Sequence, residues 1–365
     1  MRAAGPPRHG SLRRAMSNVA TPHYGIFSLS NVPPWNTHNE VVHKAVEQIK
    51  HADRLGFEEA WVAEHNGRRY GIVASAQILL AAAAAATERI RLGSGVSRLP
   101  MHHPLRLAED YAYVDQLSNG RLNFGIGKAY DRLEFQAYGI PEAERDARYE
   151  EVFDIVMQAW RDGKVQYRGE HYQVPAEGEV VDEVELFPEV VQKPTPPVFV
   201  MVSSSEESLR SAARRGFSFV LGQRPTRNDV KHLVGVYREE ARAAGHSFDA
   251  IDENIARASQ LKAVHVAESR EQAKEEYREG YMWYVGVLTN RAKVGLGIDE
   301  LSYDEYIERK TLVLGSPDDV AEELASFHSH TGLGGLVAWF DAGSQPQDRV
   351  LRSMTMFAEK VRPQL

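Results

Sequence analysis

"RIRLGSGVSRLPMHHPLRLAEDYAYVDQLSNGRLNFGIG", residues 89–127, places two short apolar runs on either side of a longer amphipathic segment. The runs 89–96 and 121–127 have the length and composition of buried strands. The segment 104–120 carries a proline near its first helical position and ends at a glycine, as helices commonly do. A strand, a helix and a second strand in close succession predict parallel strands joined by a right-handed crossover.

The same alternation extends in both directions along the chain. Eight strands are predicted, each followed by helical sequence, at 24–30, 59–64, 89–96, 121–127, 197–203, 217–222, 260–267 and 335–341. Eight such units predict a (β/α)8 TIM barrel, with insertions after strands 4 and 7, in a single domain over 23–365. The alternative is a doubly wound open sheet, which the lack of GxGxxG at any strand-to-helix turn disfavours.

Composition excludes several classes of function. The chain has 365 residues, a formal charge of −8 and no cysteine, which excludes disulfides and cysteine nucleophiles and disfavours general nucleic-acid binding. No run of 18 apolar residues is present, so no membrane span is predicted. Residues 1–22 lack the apolar core of a secretion signal. We expect them to be a disordered tail or a start assigned upstream of Met16, and we expect a cytoplasmic protein.

Polar side chains follow strand 2, where such a barrel carries its chemistry. The sequence "WVAEHNG" at 61–67 ends an apolar strand in Glu64, His65 and Asn66. Active sites of (β/α)8 barrels lie at the carboxyl ends of the strands. Imidazole can serve as a general base near neutral pH, so His65 is the candidate catalytic residue, with Glu64 as a group that orients it. The alternative is a structural polar pair at the strand end.

A candidate phosphate site follows strands 4 and 5. The sequence "SSSEES" opens a helix after strand 5, where backbone N–H groups and the helix dipole favour an anion, and its hydroxyl donors are Ser204, Ser205 and Ser208. Lys128 and Arg148 supply cations suited to phosphate. The alternatives are plain helix capping by a serine, a solvated lysine, and a surface pair between the arginine and a neighbouring glutamate. No HExxH or GxSxG sequence is present, so neither a metal site nor a serine hydrolase is predicted.

Several motifs together resemble one family, the luciferase-like, flavin-dependent monooxygenases. They are "AEHN" at 63–66, the stretch 91–140, "RYEEVFDIVMQAW" at 148–160, "FPEVVQKPTPPVFV" at 187–200 and "LGSPDDVAEEL" at 314–324. The most specific part is "HP-x-R-x-A-E-D-x4-D-x-x-S-x-GR", which lies at 103–121. The resemblance covers residues 24–362, nearly the whole chain.

This resemblance implies a barrel that binds reduced FMN supplied by a separate flavin reductase. The flavin would react with O2 to give a 4a-hydroperoxide that oxygenates a small apolar substrate, such as an aldehyde or a secondary metabolite. His65 falls at the family's catalytic histidine, and Lys128, Arg148 and the three serines match its phosphate contacts. The remaining residues implied to be near the cofactor are Glu64, Gly127 and the pair Gly95 and Val96, where the family has a non-prolyl cis peptide. A homodimer, packed through early helices such as 72–87, is also implied.

The chain departs from the family pattern at three of these positions. Asn66 replaces a second histidine, Gly127 stands where bacterial luciferase has a reactive cysteine, and Lys128 replaces an arginine. Lysine keeps the charge but loses the bidentate geometry of guanidinium. Light emission is therefore not implied.

The predicted helical region 269–310 matches the family's active-site lid. We expect a substrate pocket walled by residues of this region together with two from the barrel mouth, namely Tyr281, Trp283, Tyr284, Trp35 and Asn66. The alternative for the lid residues is ordinary helix packing or a dimer face. Two alternatives for function also stay open: a deazaflavin-dependent oxidoreductase that transfers hydride without oxygen, and a non-catalytic flavin-binding partner subunit.

Overall fold

The computed structural model describes residues 22–178, 180–203, 205–292 and 301–365, so most of the predicted tail lies outside the described residues. Its centre is a barrel of eight parallel strands: β1 His23–Ser28, β2 Glu59–Val62, β3 Arg91–Ser94, β4 Leu122–Gly127, β5 Val198–Val202, β6 Ser218–Leu221, β7 Ser259–Val266 and β8 Gly335–Trp339. Each strand pairs with the next, and β8 pairs with β1. The predicted (β/α)8 barrel is confirmed.

Helices cover the outside of this barrel. They are α1 His38–Leu55, α2 Ala76–Ala86, α3 Pro104–Leu117, α4 Arg132–Ala137, α5 Arg145–Asp162, α6 Glu206–Arg215, α7 Arg227–Ala243, α8 Phe248–Arg257, α9 Arg270–Ala292, α10 Tyr303–Glu308, α11 Pro317–Thr331 and α12 Gln347–Met356. Helix α1 illustrates how capping residues in the sequence predict where a helix begins and ends. Thr37 and Glu40 form a capping box at its start, and Gly56 ends it in the left-handed conformation with φ of 77°.

The insertion after β4 is the longest connection in the barrel. It contains α4, α5 and two small antiparallel pairs, in which Lys164–Val165 pairs with Val184–Glu185 and Tyr167–Arg168 pairs with Gln173–Val174. The insertion after β7 contains α9, α10 and α11. None of the helices in the described ranges is both long and apolar enough to cross a membrane.

Three details of the prediction need correction. The predicted continuous region 269–310 consists of α9 and α10, and residues 293–300 between them lie outside the described residues. Helix α8 was not predicted; it is ten residues long and buries Ile251 and Ile255. The short strand Leu312–Gly315 was also missed, and it pairs with the second half of β7.

Helix α2 begins four residues later than the predicted helix 72–87. The residues before it run extended across the top of the barrel, where Ile72 N–H donates to the carbonyl of Ser30 and Val73 accepts from His65 N–H. These hydrogen bonds hold the end of β2 in place, which matters for the site described below.

Aromatic side chains fill the barrel beneath its mouth. Trp61 and Phe199 meet edge to face at 5.0 Å, and Phe27 and Trp339 do so at 5.8 Å. We call these four buried residues the aromatic floor. Edge-to-face packing of rings in a dense interior gives a rigid base for the residues above it.

A close approach of β3 and β4 fixes the edge of the mouth. Ser94 Oγ donates to the carbonyl of Gly125 at 2.8 Å and accepts from the N–H of Gly125 at 3.0 Å. A Cβ atom at position 125 would lie 1.8 Å from the carbonyl oxygen of Ser94. Glycine is therefore required here for lack of space.

We expect Gly125→Ala to lower the free energy of unfolding by about 1–3 kcal/mol or more, because the methyl group must push two bonded strands apart. Gly235→Ala in α7 is the matched control, since a Cβ at position 235 meets no atom within 4 Å. The control should be stabilised by roughly 0.5–1 kcal/mol through its helix propensity. Urea unfolding of both variants tests this, and a Gly125→Ala protein as stable as the parent would contradict it.

Candidate active site

Glu64, Arg98 and Glu134 form a buried ion cluster at the mouth of the barrel. Glu64 follows β2, Arg98 follows β3, and Glu134 lies in α4. Arg98 Nη2 is 3.1 Å from Glu64 Oε1, and Arg98 Nη1 is 2.7 Å from Glu134 Oε2. The three side chains are at most 3% exposed. One guanidinium therefore separates two carboxylates in a region that water does not screen.

Both carboxylates of the buried ion cluster are held in the charged form. Burial by itself would raise the pKa of Glu64, but the hydrogen bond with His102 at 2.8 Å and the charge of Arg98 lower that pKa below its ordinary value. Burial also opposes ionisation of Glu134, yet its hydrogen bond with His65 and the charge of Arg98 lower its pKa. These two carboxylates and one guanidinium carry a net negative charge.

His65 is held against this cluster by its Nδ1 atom. Nδ1 lies 2.7 Å from Tyr70 Oη and 3.4 Å from Glu134 Oε1. The imidazole and the Tyr70 ring are 4.6 Å apart. The backbone N–H of His65 donates to the carbonyl of Val73 at 2.9 Å. Both the backbone and the side chain of His65 are thus positioned by buried partners.

Asn66 is also part of this network. Its backbone N–H donates to Glu134 Oε1 at 3.0 Å, and its side-chain oxygen accepts a hydrogen bond from Arg98. The amide therefore fixes the orientation of the guanidinium. This contact gives Asn66 a structural task in addition to its predicted place in a substrate pocket.

The two candidate phosphate cations lie together at the start of α5. Lys128 Nζ is 3.1 Å from Asp146 Oδ1. Arg148 contacts Glu144 through Nε and Nη2, both at 2.8 Å, and its Nη1 donates to Tyr172 Oη at 3.3 Å. Each cation therefore has an acidic partner. For Arg148 this partner is a neighbouring glutamate, which the sequence offers as the alternative to a phosphate contact.

The candidate phosphate serines follow β5 in the sequence. Strand β5 pairs with β4, the strand that precedes Lys128. Ser205 caps α6, and its Oγ accepts from the N–H of Ser208 at 3.2 Å. Ser204 lies outside the described residues. Helix capping by a serine, the alternative to a phosphate site, is therefore present. It is compatible with an anion site because the start of a capped helix keeps the positive end of the helix dipole.

Gly95 and Val96 are joined by a non-prolyl cis peptide bond, at the position that the resemblance implies. A Cβ at position 95 would lie 3.0 Å from the end of Met201, which follows the aromatic floor on β5. A Cβ at Gly127 would lie 2.9 Å from a methyl group of Val96. The lack of a side chain at the two glycines therefore makes room for Met201 and Val96 at the mouth.

The four predicted aromatic pocket residues lie in three different settings. Tyr284 meets Trp339 of the aromatic floor edge to face at 4.7 Å, and its Oη accepts from Gln223 Nε2 at 3.3 Å. Tyr281 is buried among other tyrosines of α9 and α10, which is the helix-packing alternative. The ring centres of Trp283 and the half-exposed Trp35 are 6.1 Å apart. The loop after β1 therefore contacts α9, which we call the lid helix.

Two features concern ligands directly. Gln223 Oε1 is buried beside Tyr284 and has no hydrogen-bond partner among the described residues. In the same ranges no group of three or more His, Asp or Glu side chains is arranged to hold a metal ion.

A model of the luciferase-like monooxygenase family matches residues 23–333, which is most of the chain. The chain belongs to this family. Its family places it among the oxidoreductases that act as monooxygenases, and the resemblance seen in the sequence is confirmed.

Three relatives illustrate the likeness. Limonene 1,2-monooxygenase of Rhodococcus erythropolis is 26% identical over 328 residues, covering 89% of this chain and 82% of the relative. The crystal structure of monooxygenase RslO1 from Streptomyces bottropensis is 26% identical, with a TM-score of 0.82 over 93% of this chain and 99% of the other. The oxygenating constituent of 3,6-diketocamphane monooxygenase from Pseudomonas putida, solved with FMN, is 22% identical, with a TM-score of 0.78 over 94% and 98%.

The same fold also occurs with a different cofactor. An F420-dependent secondary alcohol dehydrogenase, solved with an F420–acetone adduct, is 16% identical, with a TM-score of 0.73 over 94% of this chain and 99% of the other. At such low identity the likeness shows the fold alone.

Several residues of this luciferase-like site were not found from the sequence: Tyr70, Arg98, His102, Tyr130, Glu134 and Gln223. Arg98 had a usable signal, since an arginine directly after a barrel strand lies at the mouth. Glu134 had none, because it lies in a short helix within the long insertion. Its role depends on a contact between segments that are far apart in sequence.

Proposed function

We propose that this chain is a flavin-dependent monooxygenase that uses reduced FMN and O2 to oxygenate a small apolar organic substrate. The observation that carries the proposal is the position of His65. Its imidazole is held at the barrel mouth by Tyr70 and Glu134, at the end of a strand next to the one that ends in the cis peptide. A fixed imidazole at the barrel mouth is suited to move a proton during oxygenation.

The donor set at β4 and β5 fits the phosphate of FMN. Lys128, Arg148 and Ser205, with Ser204 and Ser208 beside the last, would hold this group. The Lys128–Asp146 pair is exposed by 41% and 60% of its side chains, and exposed pairs contribute little stability. A doubly charged phosphate can therefore displace the carboxylate, and the cations stay as its partners. Glu64 contributes indirectly, by fixing Arg98 at the mouth.

Bound reduced FMN would supply the two electrons that activate oxygen. The protein's part is to bind, to orient and to exclude water. The aromatic floor closes the barrel below the mouth, and Tyr284 with Trp283 of the lid helix lies above it. A dry, preorganised site strengthens the interactions of its polar groups, among them His65.

The apolar walls support an apolar substrate. The relatives named above act on limonene and on a diketocamphane, both compact and poor in charge. We therefore propose a panel of cyclic terpenes, cyclic ketones and alkanals. The test is mass spectrometry of the products after incubation with FMN, NADH, a flavin reductase and this panel. A partner reductase is part of the proposal, because the chain must receive its flavin already reduced.

We expect Ser205→Asp to weaken binding of FMN by about 1–4 kcal/mol, through repulsion between the carboxylate and the phosphate. Aspartate caps a helix as well as serine does, so α6 should remain intact. Ser205→Asn is the matched control, since it caps the helix without adding charge. Fluorescence titration with FMN measures the three dissociation constants. Equal constants for the Asp and Asn variants would refute the phosphate site.

The chain's apolar surface supports a homodimer. Ile78 of α2 and Tyr113 of α3 are 74% and 60% exposed on neighbouring helices. The family resemblance implies packing through this region, and these exposed apolar side chains would be buried in such an interface. Sedimentation should give twice the chain mass at micromolar concentration, and a monomer under those conditions would contradict this part of the proposal.

The deazaflavin alternative differs in one measurable quantity. Lys128 and the serines could bind the phosphate of either cofactor, so binding geometry does not separate the two. A deazaflavin enzyme would reduce or oxidise its substrate without consuming oxygen. A partner subunit without catalysis would bind flavin yet give no product in any of these assays.

A further inference from the structure

A line of hydroxyl groups leads from His65 to the protein surface. Tyr70 Oη lies 2.7 Å from His65 Nδ1 and 3.4 Å from Tyr130 Oη. Tyr70 is only 2% exposed, whereas Tyr130 is 44% exposed. The two tyrosines therefore connect a buried imidazole nitrogen to solvent on the side of the site formed by the loops before α2 and α4.

An ion pair holds these two loops together. Arg68 Nε and Nη2 donate to the two carboxylate oxygens of Asp131 at 3.1 and 3.2 Å. Arg68 lies two residues before Tyr70, and Asp131 directly follows Tyr130 and caps α4. A two-point pair of this kind fixes orientation as well as distance. The two hydroxyl groups are thus brought together by a contact other than their own.

Glu134 also lies near Nδ1, at 3.4 Å, but it is poorly placed to pass a proton to water. Its carboxylate is 2% exposed and is already engaged by Arg98 Nη1 and the Asn66 N–H. The same contacts hold the pKa of Glu134 below its ordinary value. A proton that arrives on His65 is therefore stabilised by Glu134, but it cannot reach water through it.

We propose that Tyr70 and Tyr130 form a proton relay between His65 and solvent. This inference rests on the proposed function of His65 as the base of the site. A bound flavin and an apolar substrate would keep water from the mouth, so the proton that His65 accepts needs a second route. Glu134 lies beside the His65 end of the relay, and the Arg68–Asp131 pair joins the loops that carry the two tyrosines.

The transfer balances as follows. His65 gains a proton at Nε2, and the N–H bond at Nδ1 breaks as an O–H bond forms on Tyr70. The original O–H bond of Tyr70 breaks as one forms on Tyr130, whose own proton passes to water. One proton has entered and one has left, and both tyrosines end neutral. His65 ends as the Nε2–H tautomer. Rotation of the two hydroxyl groups reverses the direction of the relay, and the Nδ1–H tautomer returns when Nε2 gives up its proton and Nδ1 takes one back from Tyr70.

The test uses the flavin-free chain labelled with 15N-histidine, with the signal of His65 assigned by its loss in His65→Gln. Exchange of the Nδ1 proton with water is measured by NMR in the parent, in Tyr130→Phe and in Tyr138→Phe. Tyr138 is the C-cap of α4, the helix that begins just after Tyr130 and Asp131. It is 49% exposed, so it is the matched control. We expect exchange to slow severalfold in Tyr130→Phe alone, with the position of the His65 signal unchanged.

Equal exchange rates in Tyr130→Phe and the parent would overturn the relay. A second variant, Tyr70→Phe, should shift the Nδ1 signal, because it removes the hydrogen-bond partner at 2.7 Å. An unshifted signal would also count against the relay. None of these readouts requires flavin or substrate. Failure of the proposed function would instead appear as a parent protein that binds no flavin in the titration.

Discussion

Arg98→Leu is expected to lower the free energy of unfolding by about 3–5 kcal/mol at neutral pH. The substitution removes the one positive charge between Glu64 and Glu134 and leaves two buried carboxylates without it. Leucine fills part of the space, so the loss reflects charge more than an empty cavity. Urea unfolding followed by circular dichroism measures the effect.

The pH dependence separates this cause from a packing defect. In the parent, both glutamates have lowered pKa values, so their stabilisation is present above the ordinary range for glutamate and is lost as the pH falls through the lowered values. In Arg98→Leu, the buried carboxylates bind protons more readily than in the unfolded chain. The deficit of the variant should therefore shrink as the pH is lowered towards 5, the range in which raised glutamate pKa values titrate.

Arg106→Leu is the matched control for this experiment. Its side chain is 71% exposed and pairs only with neighbouring acidic residues of α3. Surface substitutions of this kind change stability by roughly 0.5 kcal/mol or less. If Arg98→Leu behaves like Arg106→Leu, or if its deficit is the same at every pH, the buried ion cluster does not have the role described.

His65→Ala is expected to lower product formation about 10²- to 10⁴-fold, the usual contribution of a positioned general acid or base. Flavin binding should be kept, because the proposed phosphate contacts lie on β4, β5 and α5. The measurement is the product rate with the reductase-coupled assay, together with fluorescence titration of FMN. The exposed His43 in α1 gives the control variant, His43→Ala, which should match the parent in both assays. Unchanged turnover in His65→Ala would refute the catalytic role.

The barrel could be predicted from the sequence because each of its units carries the same signal. A short apolar strand, a turn and an amphipathic helix repeat eight times, and closure follows from that count. The predicted ends of helices are less accurate where hydrogen bonds to other segments hold residues out of the helix. The residues just before α2 are an example. The strand Leu312–Gly315 could not be predicted because it depends on the extra length of β7.

The site was partly predictable for a similar reason. His65 lies at a strand end, and strand ends meet at one mouth in a parallel barrel. The groups that hold His65 come from three separate connections, and no spacing in the sequence links Arg98 to Glu134. The acidic partner of Arg148 could be anticipated only as an alternative, and the pairing of Lys128 with Asp146 was not anticipated, because side-chain pairing at a helix start depends on the local geometry.

The most direct test of the central claim is a turnover under 18O2. The parent protein, reduced FMN from a flavin reductase and the apolar substrate panel are incubated together, and products are analysed by mass spectrometry. We predict that an organic product carries one 18O atom and that its yield falls in Ser205→Asp. A product without 18O, or turnover that needs a deazaflavin and consumes no oxygen, would contradict the account.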